Sequence, residues 1–139
     1  MFALLALALL AAGPPSTVKV EVLGLFHTRE ATVTSQKGSQ RVWADGDKVK
    51  VADAPSIDRA RFEPGGQPVG ANVMGLVRTF DGALEVHAKK NELVLVNEVP
   101  VETYVASVVA SEAAPESPEA ALDALAIVVR SFALDKMAR

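Results

Sequence analysis

Val101, Tyr104, Val105, Val108 and Val109 recur at the i, i+3, i+4, i+7, i+8 spacing of one helical face, and the next position of that stripe is Glu112. Ala113-Ala114-Pro115 then ends the helix. A carboxyl on the buried edge of a helix, at its negative end, is disfavoured as an anion on both counts. That is the condition for a general acid holding its proton near neutral pH. The same chemistry protonates the leaving oxygen in glycosidic bond cleavage. A competing reading ends the stripe one turn earlier and leaves Glu112 a solvated terminal residue. Glu98 reads as a strand-end or turn residue and Glu102 as a helix-start charge complementing the dipole. Arg130 lies in an apolar segment and needs a carboxylate or backbone acceptors if buried; were its partner Glu112, the proton would be lost and the acid role with it.

Little else in the chain offers chemistry. With no cysteine there is no thiol nucleophile, no disulfide framework and no Cys-based zinc site. His27 and His87 lie far apart without ligand spacing, and both read as surface residues. No metal and no cofactor is expected from this chain alone. A formal charge of -3 and the lack of any aromatic-and-basic cluster argue against nucleic acid as a partner.

The elements that must position Glu112 read as a sheet followed by helices. Residues 17–22 alternate at period two, as a half-buried strand does. Residues 31–35 and 40–44 flank a polar turn, and Asp45-Gly46 is a hairpin signal between 41–44 and 48–51. Pro55, Pro64, Gly65-Gly66 and Pro68 make 53–70 a surface loop or a short edge strand, with little regular structure. Residues 73–79 and 83–88 read as a further hairpin about Asp81-Gly82, with 93–96 following. On 83–88 the pattern puts Glu85 and His87 on the wetter face. Pro100 with Glu102 opens the first helix, and Ser117-Pro118 opens a second towards Lys136. The second helix is apolar nearly all round, which predicts burial on several sides. The fold class is therefore α+β: an antiparallel β-meander of hairpins over 17–97, then two packed helices over 100–139.

The chain has 139 residues, half of them hydrophobic, enough for one compact domain and too few for two ordinary ones. Its first thirteen residues form an apolar run ending in Ala11-Ala12-Gly13. A membrane-spanning helix needs roughly 20 apolar residues, whereas a secretory signal needs about 7 to 15 before small residues. Residues 1–13 thus read as a signal peptide, with export to the periplasm or extracellular envelope and no stable membrane span afterwards. The alternative is a buried N-terminal core helix.

The stretches Phe80-Asp81-Gly82-Ala83-Leu84-Glu85-Val86, Asn97-Glu98-Val99-Pro100-Val101-Glu102-Thr103-Tyr104-Val105 and Val108-Val109-Ala110-Ser111-Glu112 resemble the stage II sporulation protein D (SpoIID) and amidase-enhancer family. The likeness continues through Pro118-Glu119-Ala120-Ala121-Leu122 and ends at Val129-Arg130-Ser131-Phe132-Ala133-Leu134. It implies peptidoglycan glycan strands as substrate, a wall amidase as a further partner, and Glu112 at the position of the catalytic acid of lytic transglycosylases. It also implies that residues 17–139 form a single domain matching only the front half of a family domain, whose second half helps form the glycan groove and in some members binds zinc. The chain departs from the family with Thr103 for Asp, Ser107 for Gly, Ala113 for Met and Leu125 for Gln. Three readings follow: a lytic transglycosylase, a non-catalytic wall-binding or amidase-enhancing module, and an inactive fragment.

Overall fold

The computed structural model describes residues 16–137, so the segment 1–13 assigned to export lies outside the described residues. The chain runs through β1 (Thr17–Val22), a 3-10 turn at Gly24–Phe26, β2 (Glu30–Ser35), β3 (Gly38–Asp45), β4 (Lys48–Val51) and β5 (Arg59–Phe62). It continues through β6 (Val69–Val73), β7 (Leu76–Phe80), β8 (Ala83–Lys89) and β9 (Glu92–Pro100) into α1 (Val101–Glu112) and α2 (Glu119–Met137). The α+β expectation holds. All strand pairs are antiparallel and form two sheets, β1-β9-β8-β5 and β4-β3-β2-β6-β7.

Period-two alternation decides which side chains meet between the sheets. Leu84, Val86, Leu93, Leu95, Ala60 and Phe62 from the first sheet share one core with Val33, Val42, Val49, Val69 and Val73 from the second. Leu84, Val33, Val42, Val49, Val69, Val73 and Val86 have no exposed surface. Burying each such side chain contributes roughly 1.5–3 kcal/mol. At the other end of the first sheet the same inner face turns to the helices. Val18 and Val99 are register partners there, and both pack with Val101 and Val105 of α1. The first sheet therefore joins the sandwich core to the helices that carry Glu112.

The structure bears out the short edge strand within 53–70 and corrects three other expectations. Arg59–Phe62 pairs with the edge of β8, and Val69 opens β6. Pro55 and Pro64 bound β5 without interrupting it, so four residues suffice for an edge strand with Ala60 and Phe62 inward and Arg59 and Arg61 outward. The single strand expected over 73–79 is split, because Met74 (φ 53°) and Gly75 (φ 85°) make a turn between β6 and β7. Asp81-Gly82 is not a hairpin turn, since β7 and β8 belong to different sheets and the dipeptide carries the chain across. Finally, α2 is not buried on several sides: only Ala133 is buried, while Ile127, Val128 and Phe132 are each 60–64% exposed. A helix on a two-layer edge touches its neighbours along one stripe, here Ala126, Val129 and Met137.

Candidate functional site

The site begins at a direct strand-to-helix junction. Pro100 ends β9 in extended conformation (φ -55°, ψ 140°) and caps α1 without a side-chain bond, so it precedes the first helical turn instead of lying in it. The Val101 N–H donates to the Ser16 carbonyl at 3.0 Å, and Val101 and Val105 anchor the helix on Val18 and Val99. With no loop between β9 and α1, the direction of the helix follows that of the strand.

The strand is in turn fixed by the crossover. Asn97 is an inward-facing amide on β9, 9% exposed, and its Nδ2 donates to the carbonyls of Asp81 at 2.7 Å and Ala83 at 3.0 Å. Gly82 lies between those two acceptors with φ 73°, and a Cβ there would run into the Glu98 carbonyl oxygen. The Asp81-Gly82 and Asn97-Glu98 motifs are thus halves of one clamp. Their role is to hold the end of β9 and the start of α1. A polar residue in the inward register of an otherwise apolar strand was the sequence signal for it.

Glu112 is the last residue of α1, and the Ala113 N–H closes the helix on the Val109 carbonyl at 2.9 Å. Its side chain is exposed, so the expectation of a buried-facing carboxyl is overturned. The apolar stripe ends at Val109, the last α1 residue packed with Val105 and α2. Glu112 makes no ion pair or side-chain hydrogen bond with a described residue. Ser111 beside it turns its hydroxyl back to the Val108 carbonyl at 3.0 Å.

The other polar residues singled out in the sequence have partners elsewhere. Arg130 donates through Nε and Nη2 to both carboxylate oxygens of Glu102, at 2.8 and 2.7 Å, tying the middle of α2 to the first turn of α1. This hydrogen bond holds the Glu102 carboxyl below its ordinary value. Glu112 is therefore not neutralised by Arg130. Glu98 faces outward on β9 and accepts from Arg61 Nη1 at 2.9 Å. Neighbouring Glu85 is 7% exposed although outward-facing, covered by Lys19 and Arg59, which donate to it at 3.1 and 3.2 Å. Burial opposes its ionisation, but these two hydrogen bonds outweigh burial and hold its carboxyl below 4.5. His87 is half-buried in the same outer layer, opposite Arg59, and His27 lies 3.0 Å from Glu92 on the surface.

Two grooves border the helices. One of about 270 Å³ lies between the crossover and α1, with Asp81, Asn97, Tyr104 and Ser107 on its walls. The other, about 600 Å³, runs between β1 and α2 past Val18, Tyr104 and Phe132. Glu112 lines neither. The arrangement supplies an accessible, uncommitted carboxyl at the end of a helix whose start is held by the clamp.

No curated protein and no solved structure matches the chain. The family model described as stage II sporulation protein, SpoIID, matches residues 89–139, less than half of the chain. The segment from β9 through α1 and α2, with Glu112 at the end of α1, is SpoIID-like.

Proposed function

We propose that this chain is an exported cell-envelope protein acting on peptidoglycan glycan strands, and that Glu112 is the acid and base of a lytic transglycosylase-type cleavage once a sugar is held beside it. The observation that carries this reading is the free carboxyl of Glu112 at the end of α1, while Arg130, the cation that would have kept it ionised, is taken by Glu102. As acid, Glu112 gives its proton to the oxygen linking N-acetylmuramic acid C1 to N-acetylglucosamine, and that C1–O bond breaks. As base, the resulting carboxylate takes the proton of the muramic 6-hydroxyl while O6 bonds to C1 and closes a 1,6-anhydro ring. The proton returns to Glu112 and no water is consumed.

A second reading, a non-catalytic wall-binding or amidase-enhancing module, is favoured by the apolar face of α2. Ile127, Val128 and Phe132 stand in solvent as a partner-binding helix would present them. The two readings separate in one experiment. Purified glycan strands are incubated with the chain alone and with the chain joined to the second half that the family resemblance implies, and the ends are identified by mass spectrometry. The proposal expects little cleavage by the chain alone, because a slow glycosidic reaction also needs the sugar held in line with the acid. It expects 1,6-anhydro ends from the extended chain. Reducing muramic ends would mean attack by water and overturn the mechanism; an inert extended chain that captures glycan or a wall amidase would favour the second reading.

A further inference from the structure

β1 is an edge of the first sheet and pairs only with β9 among the described strands. The Val101 N–H donates to the Ser16 carbonyl, and in an antiparallel ladder such bonded pairs alternate with unbonded ones. Val18, Val20 and Val22 therefore exchange bonds with Val99, Asn97 and Leu95, while Thr17, Lys19 and Glu21 turn their N–H and C=O groups away from the sheet. Thr17 stands opposite Pro100, which has no N–H to give, as this alternation requires. The outward groups face a groove of about 600 Å³ between β1 and α2, with Tyr104, Phe132 and Met137 on its far wall. A row of unpaired backbone groups is a template for another extended chain.

The other sheet edges are closed or self-repelling. On β4, Val49 exchanges two bonds with Ile57, at 2.8 and 2.9 Å. β5 is only four residues long, with Pro55 and Pro64 on either side. β7 laid antiparallel on a copy of itself along its whole length sets Arg78 against Arg78. β1 is self-complementary instead. In an antiparallel pair centred on Val20, Lys19 stands opposite the second copy's Glu21, and Glu21 opposite its Lys19. On the inner face Val20 meets Val20 and Val18 meets Val22. Centring the pair on Lys19 or on Glu21 sets like charges against each other, so the charges select one register. Glu21 makes no ion pair or side-chain hydrogen bond with a described residue, and Lys19, 3.1 Å from Glu85, is still more than half exposed.

We propose that the partner of this edge is a second copy of the chain: two β1 strands pair antiparallel about Val20, and two four-stranded sheets become one continuous sheet through a twofold axis. Residues 18–22 form the ladder. Lys19 and Glu21 of each copy supply the outward backbone groups as well as the cross-strand charges. Phe132, 60% exposed at the groove, comes to lie against the incoming strand. A ladder of this length buries little beside the roughly 1,200–2,000 Å² of stable interfaces, so the association is weak and reversible. Glu112 lies outside the groove, and the pairing is independent of any role in glycan cleavage.

The test is amide hydrogen exchange by NMR over a concentration series of the full chain, with sedimentation velocity for size. Exchange at Val18, Val20 and Val22 is expected to be slow at every concentration, because β9 bonds them, while exchange at Lys19 and Glu21 slows as the dimer forms. Glu21→Lys is expected to weaken association by about tenfold, since two opposite-charge cross-strand pairs become two like-charge ones. Mixed with Lys19→Glu, it is expected to regain the parent affinity, every pair being again of opposite sign. Lys19→Glu also loses the contact with Glu85, so Glu21→Pro serves as a second probe. It removes one outward N–H, leaves the β9 ladder whole, and is expected to stay monomeric. A monomer at all concentrations, parent-like association by folded Glu21→Lys or Glu21→Pro, or concentration-dependent protection confined to α2 would each overturn the proposal.

Discussion

Gly82→Ala tests whether the crossover clamp holds the helix that carries Glu112. Two costs add. At φ 73° an L-residue is in left-handed space, a penalty of about 1–2 kcal/mol. The new Cβ meets backbone: the Glu98 carbonyl oxygen, with the Glu98 carbonyl carbon and Val99 Cα each at 3.2 Å. That segment of β9 is paired on both sides, by β1 and by β8, so it cannot step aside cheaply. Relieving such an overlap costs about 1–3 kcal/mol, for roughly 2–5 kcal/mol in all, and each kcal/mol is worth about 4 °C in a chain of this size. Gly70→Ala is the control. Its φ is ordinary, and the nearest atoms to its added Cβ are at 3.7 and 3.9 Å, so a change within about 1 kcal/mol is expected, in the stabilising direction if unfolded-chain entropy dominates. Urea unfolding of the two variants decides the matter. Equal midpoints for both, or a Gly82→Ala protein as stable as the parent, would refute the clamp.

Other outcomes follow from the same geometry. The Glu85 carboxyl is held below 4.5 in the folded chain, so its contribution to stability is full above its unfolded value and lost as pH falls through the folded one. Thermal melts from pH 7 to 3 should therefore fall less steeply at the acid end in Glu85→Gln than in the parent. Ile127→Ser and Val128→Ser should each change stability by less than about 0.5 kcal/mol, because those side chains are exposed, whereas Val105→Asp should unfold the chain by burying an unpaired charge. Glu112→Gln should leave the melting temperature within about 1 °C of the parent, since the carboxyl has no described partner to lose. A large loss in that variant would make Glu112 structural. Mass spectrometry of envelope-fraction protein should find the chain lacking residues 1–13; an intact Met1 in a cytoplasmic pool would contradict export.

The strands with clean alternation were legible because one face of each is buried: residues 17–22 and 48–51 have the boundaries their pattern predicted. α1 was legible from its stripe, and α2 from the Ser117-Pro118 start signal and the run that follows it. Which sheet a strand joins was not, because the local signal of Asp81-Gly82 is the same for a hairpin turn and for a crossing between sheets. Only the Asn97 amide, sixteen residues away, distinguishes them. The position of Glu112 at a helix end was readable from Ala113-Ala114-Pro115. Its exposure was not, because a helical stripe gives direction and not the extent of the surface it packs on, and α2 supports α1 only as far as Val109. Arg130 needed a partner, and two carboxylates of α1 were candidates by chemistry alone. The first turn won, since α2 meets α1 with Arg130 beside Glu102.

The central claim is that Glu112 moves the proton in glycan cleavage. The most direct measurement is the initial rate of 1,6-anhydro end formation on purified glycan strands by the chain joined to a family-type second half, compared with its Glu112→Gln and Glu116→Gln variants. Glu116 is an exposed carboxyl in the loop that follows α1, with no described partner, so it controls for charge. The account predicts a loss of about 10²–10⁴-fold for Glu112→Gln, the usual worth of a general acid–base group, with Glu116→Gln at the parent rate. Undiminished anhydro formation by Glu112→Gln, or an equal loss in both variants, would contradict it.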